Sequence, residues 1–285
     1  MGPLTIKVEK ERLLPVWGRN ARNLFRYGPK GKKMEKRQNR IVEKVQRLGY
    51  VSIEDLAKEF RVTPQTIRRD IGTLNRQGLV KRYHGGAGLA TSVENIGYSA
   101  RQILCLEEKR TIARMVARQI PAKASVFINI GTTTEEIARE LLKKDGLRVI
   151  TNNLNVAVIL SKNPGIEIFM AGGVVRNRDC GITGHAALDY INQFRADFCV
   201  VGISGIDEKG DLLDFDYQEV MVARAIIASS ARVCLVADNT KFGRNAMVRL
   251  GHLSDIDELF TDKTPPKKIL SLLREHHVNL HVPPS

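Results

Sequence analysis

From Met34 to Leu74 the apolar positions recur at helical spacing, and from Glu107 onward short apolar runs alternate with helical stretches. Ile41, Val45 and Leu48 fall on one face of a first helix, which Gly49 stops. "YVS" is a short extended link. Ser52, three residues ahead of Asp55, reads as a variant capping box, and Ile53, Leu56, Ala57 and Phe60 give a second helix its apolar stripe. Thr63 and Pro64 pair an N-cap with a first-turn proline, opening a third helix with Ile67, Ile71 and Leu74 inward. Only Arg61, Val62 and Thr63 separate the last two helices, the spacing of a helix-turn-helix at about 51–70. Gln65, Thr66, Arg68 and Arg69 must then face outward.

Polar and cationic side chains on the first turns of a helix suit the DNA major groove. Gln can bond adenine bidentately there, and Arg can bond guanine or a phosphate. Gly78 ends the helix, and "LVKRYHGG" predicts a β-wing carrying Lys81, Arg82 and His84 toward a sugar-phosphate backbone. The candidate DNA contacts are therefore Thr63, Gln65, Thr66, Arg68, Arg69, Lys81, Arg82 and His84. A plain three-helix unit with a charged solvent face is the alternative. The coincidence of cap, turn length, basic face and wing favours double-stranded DNA.

"SVFINI", "LRVITN", "IEIFMAG", "ADFCVVGISG" and "RVCLVAD" read as strands between helices, which predicts a parallel sheet covered on both faces. A helix at "EEKRTIARMVARQI" precedes them, with Ile112, Met115, Val116 and Ile120 inward. Functional residues of such a sheet belong at the carboxyl ends of its strands. Gly131, Thr132 and Thr133 open a helix where backbone N–H and hydroxyl groups could cradle a phosphate, although the threonines could also simply cap it. Asn152 and Asn153 suit polyol hydroxyls, and Gly172 and Gly173 precede Arg176 and Arg178. Asp238, Lys241 and Arg244 follow another strand, the cations suited to a phosphate and the carboxylate to a hydroxyl. Taken alone, these residues point to a small phosphorylated polyol.

Composition changes this picture in one respect. The chain has 285 residues, 43% of them apolar, enough for two modest domains. Of its formal charge of +14, residues 1–33 hold +7 and residues 34–86 hold +6, leaving +1 for the rest, so a polyanion partner belongs to the N-terminal third. Cys105, Cys180, Cys199 and Cys234 stand apart with no C-x-x-C, as reduced thiols of a cytoplasmic protein would. No stretch reaches the ~18 apolar residues of a membrane span. Dinucleotide, Walker and zinc-protease motifs are absent, so no cofactor and no metal is expected, and His276, His277 and His281 lie in a segment that reads as a strand plus a tail.

"YVSIEDLAKEFRVTPQTIRRDIGTLNRQGLVKRYHGGA" resembles the winged helix-turn-helix of DeoR-type bacterial repressors, whose recognition helix carries "PQTIRRDL" where this chain has "PQTIRRDI". The resemblance runs over about 250 residues from Met34. It implies an α/β chain: a DNA-binding domain at 34–90, a linker at 91–106 and a sensor domain at 107–285 related in fold to ribose-5-phosphate isomerase, while residues 1–33, basic and without apolar periodicity, read on their own composition as a disordered extension. It further implies a cytoplasmic repressor, a homo-oligomer on operator DNA, with no membrane partner. "TNNLNVA", "GISGIDEKGDLLDFDYQEV" and "TKFGRNAMV" look most like family members that govern glycerol-3-phosphate metabolism, making glycerol-3-phosphate the implied effector. By that match Gly131, Thr132, Thr133, Asn152, Asn153, Asp238, Lys241 and Arg244 are the effector candidates. Asp216, Glu219 and Lys109 also match family positions. The first 33 residues depart from the family pattern, and Met34 is the expected natural start. The competing class is a sugar-phosphate isomerase using Asp216, Glu219 or Asp238 as general base, on which a DNA reader would be superfluous.

Overall fold

In the computed structural model, which describes residues 36–48, 50–83, 85–88 and 98–284, the side chains of Ser52 and Thr63 start two helices as their spacing predicts. Ser52 Oγ accepts from the Asp55 N–H at 3.0 Å, and Thr63 Oγ1 accepts from the Thr66 N–H at 3.3 Å. The N-terminal elements are α1 (Lys36–Leu48), β1 (Tyr50–Ser52), α2 (Ile53–Phe60), α3 (Pro64–Arg76), β2 (Lys81–Tyr83) and β3 (Gly86–Gly88). Ile41, Val45, Ile67, Ile71 and Leu74 are fully buried together, so each helix turns the expected face inward. Asp70 is buried as well. It receives Arg37 Nε at 2.5 Å and Gln38 Nε2 at 3.1 Å, which ties α1 to α3. The expected extension at 1–33 and His84 lie outside the described residues.

β1, β3 and β2 form a three-stranded antiparallel sheet in that order, with β2 and β3 as the wing. Asn75 of α3 accepts the Arg82 N–H at 2.8 Å, fixing the wing to the third helix. Gly86 must be glycine, because a Cβ there would lie 2.3 Å from both the Tyr50 hydroxyl and the Val51 carbonyl.

A short helix, α4 (Tyr98–Ile103), occupies part of the stretch that shows no period in sequence. Six residues are too few to display one, and tertiary bonds hold it. The Tyr98 hydroxyl meets both Glu135 carboxylate oxygens at 2.9 Å and accepts from Asn155 Nδ2 at 2.8 Å. Next come α5 (Leu106–Gln119), β4 (Ser125–Ile128), α6 (Thr132–Leu141), β5 (Arg148–Thr151), α7 (Leu154–Leu160) and β6 (Glu167–Met170). They are followed by α8 (His185–Ile191), β7 (Ala196–Gly202), β8 (Gly205–Ile206), β9 (Asp211–Asp214), α9 (Tyr217–Ala228) and β10 (Ser230–Val236). The chain closes with β11 (Val248–His252), β12 (Glu258–Phe260), α10 (Lys267–Glu275) and β13 (Asn279–His281).

Seven of these strands form one parallel sheet in the order β13-β12-β10-β7-β4-β5-β6. Alternation along each strand feeds two cores. Val126, Ile128, Val200 and Val236 pack with α5, α6 and α7, whereas Phe127, Cys199, Val201 and Leu235 pack with α8, α9 and α10. The sequence pattern did not resolve the small antiparallel sheet β11-β9-β8, whose strands are short and lie between loops. His276 caps the end of α10 and His277 takes a positive φ, so only His281 lies in the expected terminal strand, stacked on Phe260.

Candidate functional site

Two surfaces gather the chemistry. On the first, Gln65, Arg68 and Arg69 of α3 are exposed, as are Lys81 and Arg82 of the wing. Arg68, Asn75 and Arg82 line a cleft between α3 and the wing, and Gln65, Arg68, Arg69 and Arg82 share its continuation. Thr66 is half-buried, its hydroxyl 3.0 Å from that of Thr63, so both hydroxyls serve the helix start. Arg40 and Lys44 are paired with Glu59. Among the described residues, by contrast, no carboxylate pairs with Arg68, Arg69, Lys81 or Arg82. Their charge and donors are free to meet phosphates and base edges.

The second surface is a cavity at the carboxyl ends of β4, β7 and β10, where a parallel sheet concentrates its ligand-facing loops. Gly131, Thr132, Thr133, Asp238 and Lys241 line it, bringing together five residues from two strand ends more than a hundred positions apart. Thr134 does not join them. Its hydroxyl donates to the Asn129 and Gly131 carbonyls, so it shapes the turn. Lys241 Nζ lies 4.0 Å from Asp238 Oδ2. Burial alone would raise the Asp238 carboxyl, but Lys241, the Thr240 hydroxyl and Lys109 hold it below the ordinary carboxylate value. Burial also lowers Lys241, against the pull of Asp238.

The remaining effector candidates lie elsewhere. Asn152 Nδ2 donates to the Ile182 carbonyl at 3.0 Å. Asn153 caps α7 through bonds from the Asn155 and Val156 N–H groups. Arg244 sits over the Phe215 ring at 5.1 Å and close enough to Tyr83 of the wing to oppose the upward push of burial on that phenol. Arg176 is consumed by Asp179, Asp216 and Glu219, and Arg178 pairs with Asp216. Asn153, Arg176 and Arg178 thus already have structural partners, whereas Asn152 Oδ1 is buried without a hydrogen-bond partner among the described residues, a distinction that residue type alone does not carry.

Other residues enter the cavity, among them Lys109 and Glu219, which the family resemblance marks without a contact assigned. Lys109 of α5 is 3% exposed, and its Nζ donates to the Arg101 carbonyl and, at 2.7 Å, to the Leu104 carbonyl. Burial first, and Lys241 second, lower this ammonium to about 8. Asp214 and Glu219 line the cavity as well. Burial raises both; Glu219, with Asp214 beside it, is pushed up to about 7 against the Arg176 guanidinium. Ser204 donates to Asp214 at 2.9 Å. Arg101 of α4 completes the lining. The strand-end rule could have found Ser204 in "GISG", but nothing local marks Arg101, since its helix is too short to read.

Cations and hydroxyls, interspersed with carboxylates able to accept or share a proton, suit a ligand with both an anionic group and hydroxyls. The half-open cavity leaves room of about 40 Å³, on the order of a few water molecules.

Comparison with known proteins extends these observations. Residues 37–93 match the family model described as the DeoR-like helix-turn-helix domain, and residues 105–263 match the DeoR C terminal sensor domain. The glycerol-3-phosphate regulon repressor of Escherichia coli (strain K12) is 50% identical over 250 residues, covering 88% of this chain and 99% of that protein. The Haemophilus influenzae protein of the same name is 48% identical over 248 residues, 87% of this chain and 96% of its own length. The HTH-type transcriptional repressor CsqR of Escherichia coli (strain K12) is 40% identical over 247 residues, 87% of this chain and 95% of its own. Among solved structures, ribose 5 phosphate isomerase A from Neisseria gonorrhoeae is similar at a TM-score of 0.35 and 12% identity, covering 47% of this chain and 52% of that chain. That likeness is too distant to bear on activity.

Proposed function

The chain belongs to the DeoR family of DNA-binding repressors, and from that premise we propose that a small phosphorylated polyol, with glycerol-3-phosphate the first candidate, binds the cavity and loosens the hold on operator DNA. The observation that carries this reading is the cavity lining, in which Lys109, Lys241, Thr132 and Thr133 can meet a phosphate while Asp214, Glu219 and Asp238 can accept hydroxyls. Two relatives near half identity named for the glycerol-3-phosphate regulon support the choice of polyol. The relatives are transcriptional repressors, so the isomerase reading gives way to a sensor, and the acids become hydroxyl acceptors.

Effector contacts are assigned to Gly131, Thr132, Thr133, Asp238 and Lys241, joined by Lys109. Asn152, Asn153 and Arg244 act on the site's frame, through the β5 turn and the Phe215 loop. A homo-oligomer in the cytoplasm fits the reading, because paired half-sites raise affinity through effective concentration. No described helix is long and apolar enough to cross a membrane.

Calorimetric titration of the purified chain with glycerol-3-phosphate tests the proposal. Lys241→Ala removes a charge-assisted contact and should weaken binding by about ten- to a hundredfold. Equal affinity of variant and parent would remove Lys241 from the site.

A further inference from the structure

Resting on the reading that this cavity takes a phosphorylated polyol, we propose that Arg101 is a further cationic ligand of the phosphate. The helix between the two family-matched segments is then itself part of the binding site. α4 lies after residue 93 and before residue 105, outside both matched ranges, yet its Arg101 side chain lines the cavity.

The guanidinium is held but not satisfied. Arg101 Nε is buried with no hydrogen-bond partner among the described residues. Its Nη2 lies 3.7 Å from Asp179 Oδ2, beyond a hydrogen bond. Both Asp179 oxygens already accept from Arg176, at 3.1 and 2.8 Å. A buried donor without an acceptor is costly, and a planar fork with unspent N–H groups matches the geometry of a phosphate. Lys109 and Lys241 line the same small space, and their like charges repel Arg101 until an anion enters.

The position of Arg101 gives the contact a consequence. Its backbone carbonyl is one of the two acceptors of Lys109, so side chain and main chain of one residue face the same site. Immediately after it, Leu104 and Cys105 are buried against Tyr50, with Tyr83 of the wing packed on the same cluster. The Tyr50 hydroxyl in turn occupies the space a Gly86 side chain would need. Because Arg101 belongs to the same segment as Leu104 and Cys105, a phosphate held by it bears on a cluster that touches the wing.

The test uses the full chain, with glycerol-3-phosphate and inorganic phosphate as separate probes in calorimetry, and hydrogen exchange read over residues 98–105. Arg101→Met should weaken glycerol-3-phosphate binding by about ten- to a hundredfold, with Arg101→Lys recovering part of the loss. Ligand should raise exchange protection over 98–105 in the parent and not in Arg101→Met. Parent-like affinity in Arg101→Met, alongside lost affinity in Lys241→Ala, overturns the role of Arg101 and leaves the site reading standing. Arg101-dependent binding of inorganic phosphate without binding of glycerol-3-phosphate supports Arg101 and sinks the polyol. Failure of both probes to bind the parent overturns both.

Discussion

Lys109 shows how one residue can serve structure and sensing together. Its ammonium stands at the carboxyl-terminal end of α4, where carbonyls are exposed and a cation is favoured, and it also lines the cavity. Its folded value of about 8 lies below that of an ordinary lysine. Between the two values the unfolded chain holds more protons, so the stability this group contributes rises with pH across that window and is lost as pH falls through about 8. A dianionic phosphate beside it should raise the value again. Effector binding near pH 8 is therefore expected to take up a proton, measured as a dependence of binding enthalpy on the ionisation enthalpy of the buffer. The dependence should shrink in Lys109→Met to the part that Glu219 contributes; a dependence unchanged there would assign the proton to Glu219. Lys109 and Lys241 each stand on a pattern visible in sequence, a helical position and a strand end. Arg101 does not, and for Asn152 and Asn153 the strand end is visible but their role is decided by which partner a folded neighbour supplies.

At the scale of elements, the caps and periodicities of α2 and α3 and the five apolar runs of the parallel sheet were readable, because each is set by residues within one turn or one strand. β12 and the short helix α4 were not, nor were two further features. β8, β9 and β11 are short pieces whose pairing depends on close approach of distant backbone: a Cβ on Gly205 would lie 2.1 Å from the Arg244 carbonyl oxygen. Asp70 sits in the midst of the outward-facing basic residues of α3 yet turns inward to Arg37, a partner 33 positions away. The wing depends on a similar long reach, through Asn75. Asn75→Ala should cost about 1 kcal/mol of stability, from the lost acceptor for the Arg82 N–H. Its larger effect should be on DNA, since Lys81 and Arg82 would no longer be held beside Arg68. Operator affinity is expected to fall while the melting temperature drops only a few degrees, as read by fluorescence anisotropy and thermal melting. An affinity equal to the parent's would show that the wing docks without this tie.

For the whole molecule, DNA reader and sensor lie in one chain, and release requires that effector bind a DNA-incompetent arrangement more tightly than the DNA-bound one. A hundredfold coupling corresponds to about 2.7 kcal/mol, within reach of a few charge-assisted contacts. Contacts between the two parts include Leu104, Cys105, Tyr50 and Tyr83, next to the cavity wall, and Arg244 beside Tyr83. The most direct test is titration of the purified chain, bound to a duplex it has itself selected from random DNA, with glycerol-3-phosphate while anisotropy reports release. The ligand is expected to lower DNA affinity at least about tenfold, with neither glycerol nor inorganic phosphate matching it and Lys241→Ala responding only at far higher concentration. DNA affinity that stays constant through saturating glycerol-3-phosphate would contradict it.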